Sequence, residues 1–127
     1  MFYMKHVLSL ILCCTLLLAA MSDSITFSTV DKGFYSGIKE SMNKAIQTSS
    51  EFDDFWSNHT SRSFPPDGVS DINFDEEMVL CVFRGTMKSG GYGVEIKAVE
   101  DIGDEVLVSC ETKDPPPGAM VTMALTQ

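Results

Sequence analysis

The chain has 127 residues, with 18 Asp and Glu against 9 Lys and Arg, for a formal charge of −9. A surface this acidic repels phosphate backbones and anionic headgroups, which argues against nucleic acid and anionic membranes as partners. The length suits one domain.

Residues 1–22 read as a signal peptide. Lys5 and His6 give a basic start, Val7 to Ala20 is almost wholly apolar, and Ala20-Met21-Ser22 supplies small residues where a signal peptidase reads. Cleavage before Asp23 is expected, with cleavage after Ala20 as the alternative. The apolar run is shorter than the roughly 20 residues that span a bilayer, so no stable membrane insertion is expected after cleavage. Cys13 and Cys14 follow Leu10-Ile11-Leu12, without the small residue that precedes a lipid-modified cysteine, and read as apolar filler. The exported part is then residues 23–127. A chain of that size buries roughly two-thirds of its unfolded surface and needs neither metal nor disulfide to fold.

In chain order, Ile25-Thr26-Phe27-Ser28-Thr29-Val30 alternates apolar with polar and predicts a strand, closed by a turn at Asp31-Lys32-Gly33. Ile38 to Thr48 fits a helical stripe and one face of a strand equally well. From Ser50 a helix is expected, with Ser50 as its cap and Glu51, Asp53 and Asp54 at its positive end. Phe52, Phe55, Trp56 and His59 fall on one face of that helix. Trp56 reads as a core anchor and His59 as an interfacial side chain. Ser63 to Ser70, with Pro65-Pro66-Asp67-Gly68, predicts a loop.

Four strands are expected after that loop. Met78 to Phe83 is apolar on both faces and reads as a central buried strand. Tyr92 to Val99 alternates, Asp101 to Asp104 predicts a tight hairpin turn, and Val106 to Glu111 alternates again. Pro115-Pro116-Pro117-Gly118 is a stiff connector, and Val121 to Leu125 closes the series. Short turns between strands argue for an α+β fold, mainly antiparallel β-sheet in a sandwich- or roll-like arrangement, with one packed α-helix.

No catalytic pattern is present: no Gly-x-Ser-x-Gly elbow, phosphate loop, His-Glu-x-x-His or Cys-x-x-Cys. Cys110 with His59 is the one thiol–imidazole candidate, and Cys110 lies in an apolar strand. Cys81 and Cys110 read as small hydrophobes, although an exported compartment also permits a disulfide. Asp71-Ile72-Asn73-Phe74-Asp75 opens like a calcium loop. Glu76 then stands where that loop needs glycine, and Val82 where it needs glutamate. The segment reads instead as extended chain with Ile72 and Phe74 turned inward. No metal and no cofactor are expected, and the chain reads as a binding protein and not an enzyme.

Two loops carry the binding reading. In Lys88-Ser89-Gly90-Gly91-Tyr92, paired glycines allow close backbone approach and Tyr92 offers an aromatic surface. The alternative is a plain hairpin turn with Tyr92 in the core. In the second loop, Asp114 to Ala119, the proline run Pro115–Gly118 is already rigid and loses little entropy on docking. The candidate partner-binding residues are Lys88, Ser89, Gly90, Gly91, Tyr92, Pro116, Pro117 and Gly118.

The run from Phe83 to Ile96 resembles the C-terminal domain of the PrcB family, whose namesake is a non-catalytic member of a protease complex. That family carries Gly-x-x-Pro-Thr-Gly-Gly-Tyr-x-x-x-Ile. The run from Pro115 to Thr126 is similar to its Pro-x-Pro-Gly-x-x-Val-Thr-Gln-Ala-x-Thr. Tyr35 to Ile38, Phe52 to Trp56 and Phe74 to Met78 fit as well, with the best coverage over 74–126. Lys88-Ser89 replaces Pro-Thr, and Met123 replaces Gln. The family continues past Thr126 with Pro-Tyr-His and a further strand, so the resemblance implies either a chain cut before its last strand or a sheet with an unpaired edge. It also implies a strand, and not a helix, at Ile38 to Thr48. Finally, it implies a bacterial periplasmic or secreted accessory protein whose partner is a protein, a protease being the class suggested. A chagasin-like protease inhibitor is the alternative, from the Asn-Pro-Thr-Thr-Gly-Tyr loop of that family.

Overall fold

The computed structural model describes residues 22–62 and 71–122. In chain order they form β1 (Asp23–Ser24), β2 (Met42–Ile46), α1 (Ser49–His59), a 3-10 turn (Thr60–Arg62), β3 (Val79–Phe83), β4 (Gly93–Asp101) and β5 (Val106–Lys113). The strands make two antiparallel sheets, one ordered β1-β4-β5 and one pairing β2 with β3. This is the mainly-β α+β class expected, and the Ile38 to Thr48 segment does form a strand.

The described residues cluster as two compact units, 28–62 with 71–96 and 110–122, and 22–27 with 97–109. The first holds the hydrophobic core. Ile46, Phe52, Val79 and Cys81 are buried together, with Met42, Phe55, Trp56, Ile72, Phe74 and Phe83 packed against them. The register sets Ile46 opposite Val79 and Met42 opposite Phe83, so strand alternation puts these side chains on one face. α1 lays its aromatic stripe there: Phe52 lies 5.7 Å from the Phe74 ring and Phe55 lies 5.8 Å from Phe83. Each fully buried aliphatic or aromatic side chain in such a core contributes about 1.5–3 kcal/mol. Lys44 Nζ reaches Glu51 Oε1 at 2.7 Å and ties β2 to the first turn of α1. That hydrogen bond, aided by the Lys44 charge, holds the Glu51 carboxyl below its usual range.

Several sequence expectations are corrected in this unit. The cap of α1 is Thr48, not Ser50. Thr48 has extended backbone, and its side chain accepts from the Glu51 N–H at 3.3 Å, satisfying a donor of the first turn. Thr60 closes the helix by donating its hydroxyl to the Trp56 carbonyl at 2.8 Å. Trp56 is half-buried, and Phe52 is the helix residue driven into the core. β3 is not central: among the described residues its one strand neighbour is β2, and α1 supplies the burial that its apolar face needs. Residues 71–77 are turned, not extended, because Asn73 collects the chain. Its carbonyl accepts from the Glu76 and Glu77 N–H groups, and its side chain accepts from the Asp75 N–H. Ile72 and Phe74 still point inward.

In the second unit, Asp23 lies opposite Asp101 and Ser24 opposite Glu100. The Ile25 N–H donates to the Val99 carbonyl at 2.8 Å, and strand structure ends there. The strand expected over Ile25 to Val30 therefore does not form: strand structure covers only Asp23 and Ser24, and Ile25 adds one hydrogen bond beyond them. Ile25 and Phe27 stay exposed, so burial does not drive further pairing. No turn forms at 31–33 either. The hairpin turn does form, with the Ile102 N–H on the Glu105 carbonyl at 3.0 Å and Gly103 at φ 102°. Residues 1–21, the 63–70 loop and most of the closing Val121 to Leu125 strand lie outside the described residues; Val121 and Thr122 themselves are not in strand.

Candidate functional site

The glycine loop is not a hairpin turn. It leads from β3, which pairs with β2, to β4, which pairs with β1 and β5, so it joins strands of different sheets. Its backbone is instead packed on the proline connector. The Gly90 N–H donates to the Thr122 carbonyl at 3.0 Å. Gly91 has φ 91°, and a side chain there would meet Pro115 Cβ at 2.9 Å and Val121 Cγ1 at 3.2 Å. Only glycine accepts that angle and that approach without strain. The two loops singled out in the sequence are therefore in contact.

The connector makes its own turn. The Ala119 N–H donates to the Pro116 carbonyl at 3.0 Å, with Gly118 at φ 78°. Pro117 and Gly118 thus occupy the central positions of a type II turn, where proline then glycine are favoured.

Arg84 joins the pieces. Its Nη1 donates to the Lys113 carbonyl at 2.8 Å, to Asp114 Oδ1 at 2.6 Å and to the Gly93 carbonyl at 3.3 Å. Its guanidinium carbon lies 5.4 Å from the centroid of the Tyr92 ring, within cation–π range. One cation therefore anchors the start of the connector, the start of β4 and the aromatic ring. Sequence reasoning nominated Tyr92 and began the second loop at Asp114, but gave neither Arg84 nor Asp114 a role. The available signal was their position, Arg84 within the Phe83 to Ile96 motif and Asp114 just before the prolines.

Residues 78–127 match the family model described as PrcB C-terminal. No curated protein and no solved structure matches the chain. The matched segment contains Arg84, the glycine loop, Asp114 and the proline turn, so the whole joined assembly lies inside it. Tyr35 to Ile38 and Phe52 to Trp56, which the sequence resemblance also took in, lie upstream of the match.

The candidate residues differ in exposure. Lys88, Gly91, Pro116, Pro117 and Gly118 are exposed, Tyr92 is half-buried, and Ser89 and Gly90 are buried. Ser89 donates its hydroxyl to the Gly90 carbonyl at 3.2 Å. Ser89 and Gly90 therefore shape the loop from within, and the exposed set forms its surface.

A second polar cluster lies outside the matched segment. Ser36 Oγ is 2.8 Å from His59 Nδ1, and Asp31 Oδ2 is 2.7 Å from His59 Nε2. The Ile38 N–H donates to Ser36 Oγ at 3.0 Å. With Nε2 protonated, every group is satisfied: Ile38 N–H to Ser36, Ser36 O–H to His59 Nδ1, and His59 N–H to the Asp31 carboxylate. The residue types are those of a hydrolase triad. However, Ser36 is 1% exposed, so no acyl group reaches its oxygen. The neighbouring Gly37 N–H is already spent on the His59 carbonyl at 2.9 Å, which leaves it unable to hold an oxyanion. The cluster fastens the segment before β2 to the C-terminal end of α1. His59 is thus buried and doubly bonded, not the interfacial side chain expected.

The thiol–imidazole pairing, already disfavoured in the sequence, is excluded because both His59 nitrogens are engaged by Ser36 and Asp31. Cys81 and Cys110 are both free, Cys81 buried and Cys110 exposed. Cys110 therefore does not serve as the small core hydrophobe expected; it lies on β5, which is almost wholly exposed. Burial pushes the Cys81 thiol up to about 11 and keeps it protonated at neutral pH. Among the described residues no three His, Cys, Asp or Glu side chains group as metal ligands, and no helix is long and apolar enough to cross a membrane.

Proposed function

We propose that the chain is an exported, non-catalytic accessory protein that binds a protein partner, a protease being the favoured class, through the surface formed by Lys88–Tyr92 and Pro115–Gly118. The observation that carries this reading is the locking of the glycine loop onto the proline connector by Arg84. Loops held in one conformation before binding lose little entropy when a partner docks. An exposed lysine, a rigid proline turn and an aromatic edge under a guanidinium suit recognition of another protein surface. The PrcB C-terminal match supports the protease-complex context, and the inaccessibility of Ser36 supports a non-catalytic role. The apolar run after Lys5 and His6 supports export with cleavage before Asp23.

Photo-crosslinking amino acids placed at Lys88 and at Pro117 test the site. Crosslinks to a protease from both positions, and none from Glu76, are the expected result. Crosslinks from Glu76 alone would reject the loop assignment. Titration against a panel of proteases separates an accessory protein from a chagasin-like inhibitor, since only the inhibitor lowers turnover. Fractionation with N-terminal sequencing of the exported protein is expected to give Asp23 first.

A further inference from the structure

The unit formed by residues 22–27 and 97–109 has too little core to be stable alone. Among its described residues Val99, 3% exposed, is the one buried side chain. Ile25, Phe27, Ile102, Val106 and Leu107 are 38–48% exposed, and they are half of the exposed large hydrophobic residues in the described chain. Its sheet is essentially a two-stranded ribbon, because β1 adds only two residues. Such ribbons are marginal in water and gain stability from another strand or a covering layer.

Two features indicate where that addition goes and what it is. Among the described residues, β5 has a strand neighbour on one side only, so the free edge of Val106–Ser109 presents main-chain donors and acceptors beside exposed Val106 and Leu107. The charge of the unit is one-sided: Asp23, Glu100, Asp101, Asp104 and Glu105 stand against Lys97. Asp23 and Asp101 are directly opposite on paired strands, an arrangement that destabilises the pair until a cation lies near. A second copy would bring the same carboxylates edge to edge, so charge disfavours self-pairing.

We propose that the free edge of β5 at the hairpin end receives an extended segment of a partner protein in which Lys or Arg alternates with apolar residues. The segment adds a strand through main-chain hydrogen bonds. Its apolar side chains all fall on one face of the added strand and cover Leu107, and its cations face the carboxylates of the hairpin. This surface is distinct from the glycine and proline loops and does not depend on them.

The test uses the full chain and a labelled peptide of alternating Lys and Val, eight residues long. A Glu-Val peptide and a Lys-Val peptide of scrambled order serve as controls. Binding is read by anisotropy and located by amide chemical shifts. The proposal expects shifts confined to 97–109. It expects at least tenfold weaker binding by the Asp104→Lys/Glu105→Lys chain, and a similar loss with Leu107→Ser. Both substitutions are on exposed residues, and unchanged amide spectra outside 97–109 verify the fold. Equal binding of the Glu-Val or scrambled peptide, or shifts located elsewhere, would overturn it. A dimer seen by light scattering that dissociates with Leu107→Ser would overturn it too, in favour of a second copy as occupant.

Discussion

Arg84 and Asp114 stand 30 positions apart in sequence, yet the Arg84 Nη1 lies 2.6 Å from Asp114 Oδ1. The same nitrogen holds two main-chain carbonyls. Arg84→Ala leaves those acceptors unpaired and removes the cation from Tyr92. A loss of about 2 kcal/mol is expected, the scale of hydrogen bonds from a charged donor. Asp114 is 66% exposed at its side chain, so Asp114→Asn is expected to cost under about 1 kcal/mol. Urea denaturation measures both, and equal losses would show that the arginine acts only through the ion pair.

Gly91 and Gly103 both have positive φ, at 91° and 102°, but only Gly91 is crowded. Alanine at position 103 meets nothing within 4 Å, so Gly103→Ala carries the backbone strain alone, about 1 kcal/mol. Gly91→Ala adds the clash with Pro115 and is expected to cost about 1–2 kcal/mol more. Thermal melts of the two variants compare them, and a Gly91 variant no worse than Gly103→Ala would deny the close packing of the two loops.

Ser36→Ala removes the hydroxyl that accepts from the Ile38 N–H and meets His59 Nδ1. Two buried groups lose their partner, and a loss of about 1–3 kcal/mol is expected. Hydrolysis of activated esters by the wild type should equal that by Ser36→Ala. A wild-type rate clearly above the variant would contradict the structural role given to this cluster.

The Cys81 thiol is raised to about 11 from an ordinary value of 9.0. A raised folded-state value favours the protonated form. Its contribution is therefore complete below about pH 9 and is lost as pH rises toward 11. The wild type should lose up to about 2–3 kcal/mol more than Cys81→Ala across that window. Iodoacetamide at neutral pH should label exposed Cys110 and spare Cys81, as peptide mass spectrometry can read. Parallel stability curves for the two chains, or equal labelling, would contradict the assignment.

Local patterns were legible in the sequence. Phe52, Phe55 and Trp56 recur at helical spacing and do line the inner face of α1. The alternation around Tyr92–Val99 and Val106–Glu111, with Gly103 between, does become a hairpin. The glycine and proline motifs marked segments that pack on each other. Alternation misled at Ile25 to Val30, because a strand needs a partner and an apolar face, and neither is written into the strand itself.

By itself, then, the sequence determined the period-bearing elements, the acidity and the two rigid glycine and proline motifs, since these depend on neighbours a few residues apart. Tertiary structure alone decided that Arg84 holds Asp114, and that His59 sits between Ser36 and Asp31, 23 and 28 positions away. It also decided that the glycine loop bridges two sheets and does not close a hairpin. Hydrogen bonds between residues so far apart leave no periodic trace, because their partners are chosen by the fold and not by spacing along the chain.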